Sequence, residues 1–261
     1  MHLRVTGPVD APPVVFLHAV GTSGWIWEPI AGVLEGVRCL VPDLPGHGSS
    51  ADLPWRSMSD TADAVAELIA RNVPGGRAHL VGLSLGGYLA LTLSSRHPAR
   101  VDRVIVSGVS VLPFPRPRLM RAFGLMMAPL MRREFVIRAQ AKALRIPAEK
   151  LPEHRAAAKA MSPRTFLRIG DELMDFRSGA FAGAAAPTLV LAGEAEHPLV
   201  RRSMPLILDA LPNAEGRLAP AMGHGWIGEA PELFRRTVEA WLLEERLPDI
   251  GLTAPCETQT D

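Results

Sequence analysis

The chain is predicted to fold as an α/β protein with a mainly parallel central sheet flanked by helices and a helical insertion, on three observations. Short apolar runs at residues 14–17, 37–41, 78–81, 101–107, 188–192 and 217–219 alternate with amphipathic segments of helical period. Strands that alternate with helices form a parallel sheet covered on both faces. Gly82-Leu83-Ser84-Leu85-Gly86 follows one of these runs and opens a stretch, residues 87–93, apolar enough to be buried. Between residues 113 and 183 the strand pattern stops, and Pro113, Pro115 and Pro117 introduce helical segments rich in methionine and arginine.

Taken in order, residues 14–17 run into His18-Ala19-Val20-Gly21, a loop placed to offer a backbone amide at the end of a strand. Ser59 is expected to cap a helix carrying Ala62, Val65, Ala66, Ile69 and Val73 on one face. Pro231 starts a last helix with Leu233, Phe234, Val238, Trp241 and Leu242 inward. Residues 1–112 and 184–247 are thus expected to form the core and 113–183 a helical cap. Residues 248–261 lack periodicity and are expected to fray as a flexible tail.

A serine with glycine at both second neighbours, at a strand-to-helix junction, fits a sharp turn that lifts its hydroxyl out of the backbone. The turn also aims the amides that open the next helix at whatever the hydroxyl attacks. Because so short a motif also occurs in ordinary glycine-rich loops, its partners decide its meaning. His224, between Gly223 and Gly225, is poorly explained as core packing and is the expected general base. The other histidines have plainer readings: His18 ends a strand, His47 sits in a turn, His79 lies within a strand, His97 and His197 precede proline, and His2 and His154 are expected at the surface. The loop Gly193-Glu194-Ala195-Glu196-His197-Pro198 offers two carboxylates that could orient the histidine, Glu194 and Glu196. The amides of Val20 and Leu85 are the expected donors to an oxyanion.

With these residues in place, the chain resembles the α/β-hydrolase superfamily over about residues 14–243. The matching stretches are VVFLHAVG, PDLPGHGSS at residues 42–50, VGLSLGG at 81–87, LVLAGEAEHP at 189–198 and GHGW at 223–226. The resemblance implies an α/β-hydrolase fold, a triad of Ser84, Glu196 and His224, and a lid inserted after the sixth strand. It favours Glu196 over Glu194 as the acid. Serine at the nucleophile position argues against the family branches that use aspartate there. Two departures stand out: Ala19 replaces the usual glycine of the oxyanion loop, and Glu196 replaces the commoner aspartate, adding one methylene to the acid.

Net charge is +1 over 261 residues, with no basic tail or aromatic-studded basic strip, so nucleic acid is not an expected partner. No window reaches the roughly 18 apolar residues of a membrane span. No secretory leader pattern appears, and a cytoplasmic protein is expected. Cys39 and Cys256 read as reduced thiols. No metal-binding spacing occurs, and neither metal nor cofactor is expected.

Charge is uneven: residues 116–177 hold fourteen basic and six acidic side chains, a net of +8 against −7 for the remainder. Such a segment could steer an anionic substrate, or an acyl group carried on an acidic carrier protein or coenzyme A, or could be a set of solvated helix faces. Within it Leu119, Met120, Phe123, Met126, Met127, Leu130 and Met131 form an apolar stripe. Met120, Phe123 and Met127, with Trp226 from the core, are the expected pocket residues for an apolar acyl or alcohol group. The expected activity is a serine hydrolase acting on a small carboxylic ester, lactone or thioester through an acyl-enzyme. The same triad would also serve a carbon-carbon bond hydrolase, an acyltransferase or a cyclase, and the scaffold a small-molecule receptor.

Overall fold

The structure, a computed structural model, describes residues 1–144, 146–243 and 247–255. Among the described residues seven strands form one sheet: β1 (Leu3–Thr6), β2 (Pro13–Leu17), β3 (Arg38–Pro42), β4 (Ala78–Leu83), β5 (Val101–Ser107), β6 (Thr188–Gly193) and β7 (Ala214–Ala219). Their spatial order is β1-β3-β2-β4-β5-β6-β7, with β1 antiparallel to β3 and every other pair parallel. The helices are α1 (Glu28–Ala31), α2 (Met58–Asn72), α3 (Leu85–Arg96), α4 (Pro117–Met127), α5 (Glu134–Ala143), α6 (Leu151–Ala160), α7 (Pro163–Asp175), α8 (Pro198–Ala210), α9 (Trp226–Glu229) and α10 (Pro231–Leu243).

Alternation of side chains along the strands divides the core into two layers. Val15, Leu17, Leu80, Val104, Val106 and Val190 face α2, α3 and α8, where Val65, Ile69, Leu89 and Ile207 complete one cluster. Val14, Phe16, Cys39, Val81, Ile105 and Leu191 face α1 and α10, where Ile30, Phe234, Val238 and Trp241 complete the other. In the second layer Trp27 packs on Phe16 and Phe234 at 5.2 and 5.8 Å between ring centres. Both faces of the parallel strands are therefore dry, which is why the strands read as continuous apolar runs.

Helices α4 to α7 lie between β5 and β6 in the chain. They are fastened to the core by polar contacts: Lys150 Nζ meets Glu28 Oε2 at 2.6 Å, the Met58 amide donates to Glu172 at 2.7 Å, and Arg168 donates to the Trp55 carbonyl at 3.2 Å.

Several expectations are corrected. A first strand, Leu3–Thr6, precedes those the apolar runs predict; it is a short edge strand whose side chains are largely exposed, so no apolar run marks it. The insertion follows the fifth strand and not the sixth, since the serine turn closes the fourth. The cap of α2 is Ser57, whose Oγ accepts from the Asp60 amide at 3.0 Å, while Ser59 lies inside the first turn. His154 is buried, edge-on to Trp25, and is not a surface residue. The segment after 247 does not fray as far as it is described: Thr253 exchanges backbone hydrogen bonds with Leu218 of β7 at 2.8 and 2.9 Å, and Ile250 is buried. Cys39 is a buried free thiol whose pKa burial pushes up to about 11. Cys256 lies outside the described residues.

Candidate active site

Between β4 and α3 the backbone of Ser84 adopts φ 51° and ψ −119°, a conformation L-residues rarely hold and one that costs about 1–3 kcal/mol. Close approach explains both flanking glycines. A Cβ on Gly82 would lie 2.2 Å from the Gly86 carbonyl, and one on Gly86 would lie 1.9 Å from the Leu17 carbonyl of the neighbouring strand. The turn is held by the Ser84 amide, which donates to the Ser107 carbonyl at 2.8 Å, and by the Gly87 amide, which donates to the Ser84 carbonyl at 2.7 Å.

The acid and histidine loops leave the ends of β6 and β7 and are stapled together. Glu194 accepts from the Ala221 amide at 2.9 Å and its own amide donates to the Ala219 carbonyl at 2.9 Å, while the Ala195 amide donates to the Met222 carbonyl at 2.8 Å. A Cβ on Gly193 would lie 2.2 Å from the Met222 carbonyl, so the loops can pack this closely only over glycine. The staple sets His224 Nδ1 at 3.0 Å from both carboxylate oxygens of Glu196, whose side chain is 2% exposed. A carboxylate only accepts, so Nδ1 carries a proton and Nε2 is left facing away from Glu196. The two glutamates of the loop thus differ in place: Glu196 meets the imidazole and Glu194 holds the loop.

Ser84 and His224 converge on one strand end. Ser107 closes β5 with its carbonyl on the Ser84 amide and its hydroxyl accepting from Trp226 Nε1 at 2.9 Å. The next residue, Gly108, has φ +74°, and a Cβ there would lie 2.7 Å from His224 Cε1. The imidazole therefore rests on Gly108, one residue beyond the strand end that holds the serine turn. Ser84 Oγ and His224 make no hydrogen bond to each other; the two meet through the end of β5.

Among the described residues no acceptor is bonded to the Val20 or Leu85 amide. The peptide that carries the Val20 N–H is fixed from its other end. The Ala19 carbonyl is 2.9 Å from His18 Nδ1 and accepts from Thr22 Oγ1 at 2.7 Å and the Thr22 amide at 3.3 Å. His18 Nε2 accepts from the Leu44 amide at 3.0 Å, so Nδ1 holds the ring proton and donates it to Ala19. Burial lowers the His18 pKa to about 4, and burial beside His18 lowers that of His47 to about 3, so both imidazoles are neutral at neutral pH. Asp43 holds the same loop, accepting from the Gly24 and Ser49 amides at 2.8 Å each. Ala19 needs no left-handed backbone, so the missing glycine leaves this loop unstrained at that position.

An apolar cavity of about 100 Å³ adjoins His224. Leu83 and Ala19 line it from the core, together with Trp25, Ile26 and Ile227, and Leu144, Ile146 and Pro147 from the insertion. The expected pocket residues lie elsewhere. Trp226 is wholly buried against Phe234, a core residue whose indole anchors the histidine loop to Ser107. Met120 and Phe123 line a separate crevice between α4 and α7, and Met127 lines neither. The reason is rotational: α4 has no buried residue and turns much of its stripe outward.

Sequence reasoning missed Ser107, Gly108, Thr22 and the buried role of His18. Only the -Ser-Gly- pair at the end of an apolar run hinted at the first two; the others work through contacts between distant segments.

The family model described as the alpha/beta hydrolase family matches residues 14–237. A relative from Serratia proteamaculans, named for carbamate hydrolysis (RutD), is 30% identical over 90% of this chain and 92% of its own. The pimeloyl-[acyl-carrier protein] methyl ester esterase of Chromobacterium violaceum is 39% identical over 111 residues, 42% of each chain. Among solved structures, a thermophilic esterase from Thermogutta terrifontis superposes with a TM-score of 0.75 at 22% identity, covering 93% of both chains. With the sheet order, the strained serine turn and the paired acid and histidine loops, these matches place the chain in the alpha/beta hydrolase family.

Proposed function

We propose that the protein is a serine hydrolase that cleaves a small carboxylic ester, lactone or thioester through an acyl-enzyme. The observation that carries this reading is the pairing of His224 Nδ1 with both oxygens of buried Glu196, on the strand end that also holds the Ser84 turn. Ser84 Oγ attacks the carbonyl carbon as its proton passes to His224 Nε2. The imidazolium is stabilised by Glu196, and the tetrahedral oxyanion takes the free N–H groups of Val20 and Leu85. Collapse breaks the bond to the alcohol or thiol, which leaves with the proton from His224. Water, deprotonated by the same imidazole, then attacks the acyl carbon and returns Ser84.

The cavity beside His224 supports a short, uncharged group on the substrate, because its walls are almost wholly apolar. Lys150 reaches that wall, but its ammonium is neutralised by Glu28 at 2.6 Å and Glu153 at 3.4 Å. The insertion, which supplies Leu144, Ile146 and Pro147, acts as the cap over this site. The sequence similarity to a methyl ester esterase of an acyl-carrier substrate and to a carbamate hydrolase makes both bond types part of the test.

A panel of short-chain nitrophenyl esters, thioesters, lactones and carbamates, with fluorophosphonate labelling, tests the proposal. Wild type should turn over at least one ester and label at Ser84. Ser84→Ala should lose labelling and at least a thousandfold in kcat/KM while keeping its melting temperature. Residual activity well above that level would assign the chemistry to another nucleophile. Accumulation of an acyl-enzyme that turns over only with added alcohol would make the protein a transferase, and ligand binding without turnover would make it a receptor.

A further inference from the structure

Of the twelve large apolar side chains exposed among the described residues, six fall within residues 119–135: Leu119, Met120, Phe123, Leu125, Met126 and Phe135. On α4, Leu119, Ala122, Phe123 and Met126 follow the i, i+3, i+4, i+7 spacing of one helix face, which in a globular protein ordinarily points inward. Here that face points to solvent, with Leu119 and Met126 each 60% exposed. The opposite side of α4 packs towards Leu167 of α7 and is clamped by Arg121 on Asp171 and Asp175 at 2.9 and 2.6 Å. The outward stripe is therefore the helix's free face.

Four arginines border this face, Arg116 and Arg118 at one end and Arg132 and Arg133 beyond the other. All are exposed, and among the described residues none forms an ion pair with an acidic side chain. No acidic residue occurs from 116 to 133. Apolar side chains that protrude between unneutralised cations match a surface that is apolar below and anionic at its rim. A second copy of the chain on the same face would set these arginines against their own counterparts. An acidic protein would have to pair its charges with an apolar groove matched to this stripe, whereas an anionic lipid surface offers charge above and hydrocarbon below at every point.

We propose that this face of the insertion, centred on the outward stripe of α4, docks the protein onto an anionic lipid surface. The helix lies in the plane of the interface, with Leu119, Phe123 and Met126 among the acyl chains and the arginines at the headgroups. The attachment is peripheral, since no helix among the described residues is long and apolar enough to cross a membrane. The crevice of about 440 Å³ between α4 and α7, lined by Met120, Phe123, Phe166, Leu167 and Leu173, opens beside the stripe and can receive an acyl chain.

Co-sedimentation of the full chain with phosphatidylcholine vesicles, with and without phosphatidylglycerol, tests this. The wild type should partition at least tenfold more strongly onto the anionic vesicles, and added salt should weaken it. Leu119→Asp with Met126→Asp should lower partitioning tenfold or more without changing the melting temperature, because both side chains already face water. Arg132→Gln with Arg133→Gln should lower it roughly thirtyfold on anionic vesicles, about fivefold for each cation removed, and leave neutral vesicles unaffected. Four outcomes would overturn the proposal: no sedimentation with either vesicle, binding unchanged by both variants, a wild-type dimer that the aspartate variant converts to monomer, or retention by an acidic carrier protein in the absence of vesicle binding.

Discussion

The strand ends that carry Ser84, Glu196 and His224 and the helical insertion between β5 and β6 hold their shapes by opposite means. At the strand ends many of the constraints are backbone: amides on carbonyls at 2.7–2.9 Å and glycines at which a Cβ would come within 2.7 Å of a neighbour. The insertion is held by side chains, through ion pairs such as Arg121 with Asp171 and Lys150 with Glu28, and leaves apolar residues in water. Backbone contacts at a strand end have few alternatives, whereas a helix held by surface charges can exchange most of its side chains without losing its place. The proposed chemistry thus belongs to the part that tolerates least change, and the proposed substrate and surface preferences to the part that tolerates most.

The contrast can be broken most severely at Glu196. Glu196→Gln should lower kcat by about 10³–10⁴-fold, since an amide no longer stabilises the imidazolium. Glu194→Gln should cost far less, because its contact is with the Ala221 amide. A larger loss from Glu194→Gln would reverse the two roles.

Next in size is Gly108→Ala. Its methyl group would meet His224 Cε1 at 2.7 Å and is strained at φ +74°, so the imidazole should be displaced and kcat should fall about a hundredfold. Unchanged kinetics would show that the histidine does not rest on this residue during turnover.

The buried imidazoles under the Val20 loop link this region to pH. His18 and His47 have folded pKa values of about 4 and about 3, below the unfolded value near 6.5, so the unfolded chain binds more protons in between. Their contribution to stability is complete above about pH 6.5. It falls as pH drops towards the folded values, by up to about 1.4 kcal/mol per pH unit for each ring. Urea unfolding at pH 6.5 and 5 should show this loss before most carboxylates titrate; equal stability at the two values would count against neutral, buried rings.

The smallest effect is expected in the insertion. Leu125→Ser, at a side chain 63% exposed, should change stability by no more than about 0.5 kcal/mol by thermal melts. A cost several times larger would mean that α4 is packed against something its exposure does not show.

Much of the molecule was legible before folding. Buried parallel strands need apolar residues on both faces, so β2, β3, β4, β5 and β6 stand out as short apolar runs. The serine turn announces itself through its two glycines. β1 was not legible, because an exposed edge strand carries no such run. The place of Trp226 is not legible either, because an aromatic beside a loop histidine fits a pocket wall as well as the buried anchor that it is. The stripe of α4 is legible in its residues, but the expected direction, towards a pocket, is the reverse of where Leu119, Phe123 and Met126 point.

From its residues alone the chain determined the buried parallel strands, the Ser84 turn and the short list of acids and bases able to serve it, because these depend on local geometry and on burial patterns of fixed period. Only the tertiary structure decided that Glu196 and not Glu194 meets His224, that Ser107 and Gly108 underlie both, and that α4 turns its apolar side to solvent. Those outcomes depend on distances between segments far apart in the chain and on the rotation of a helix about its axis, quantities that no local spacing encodes.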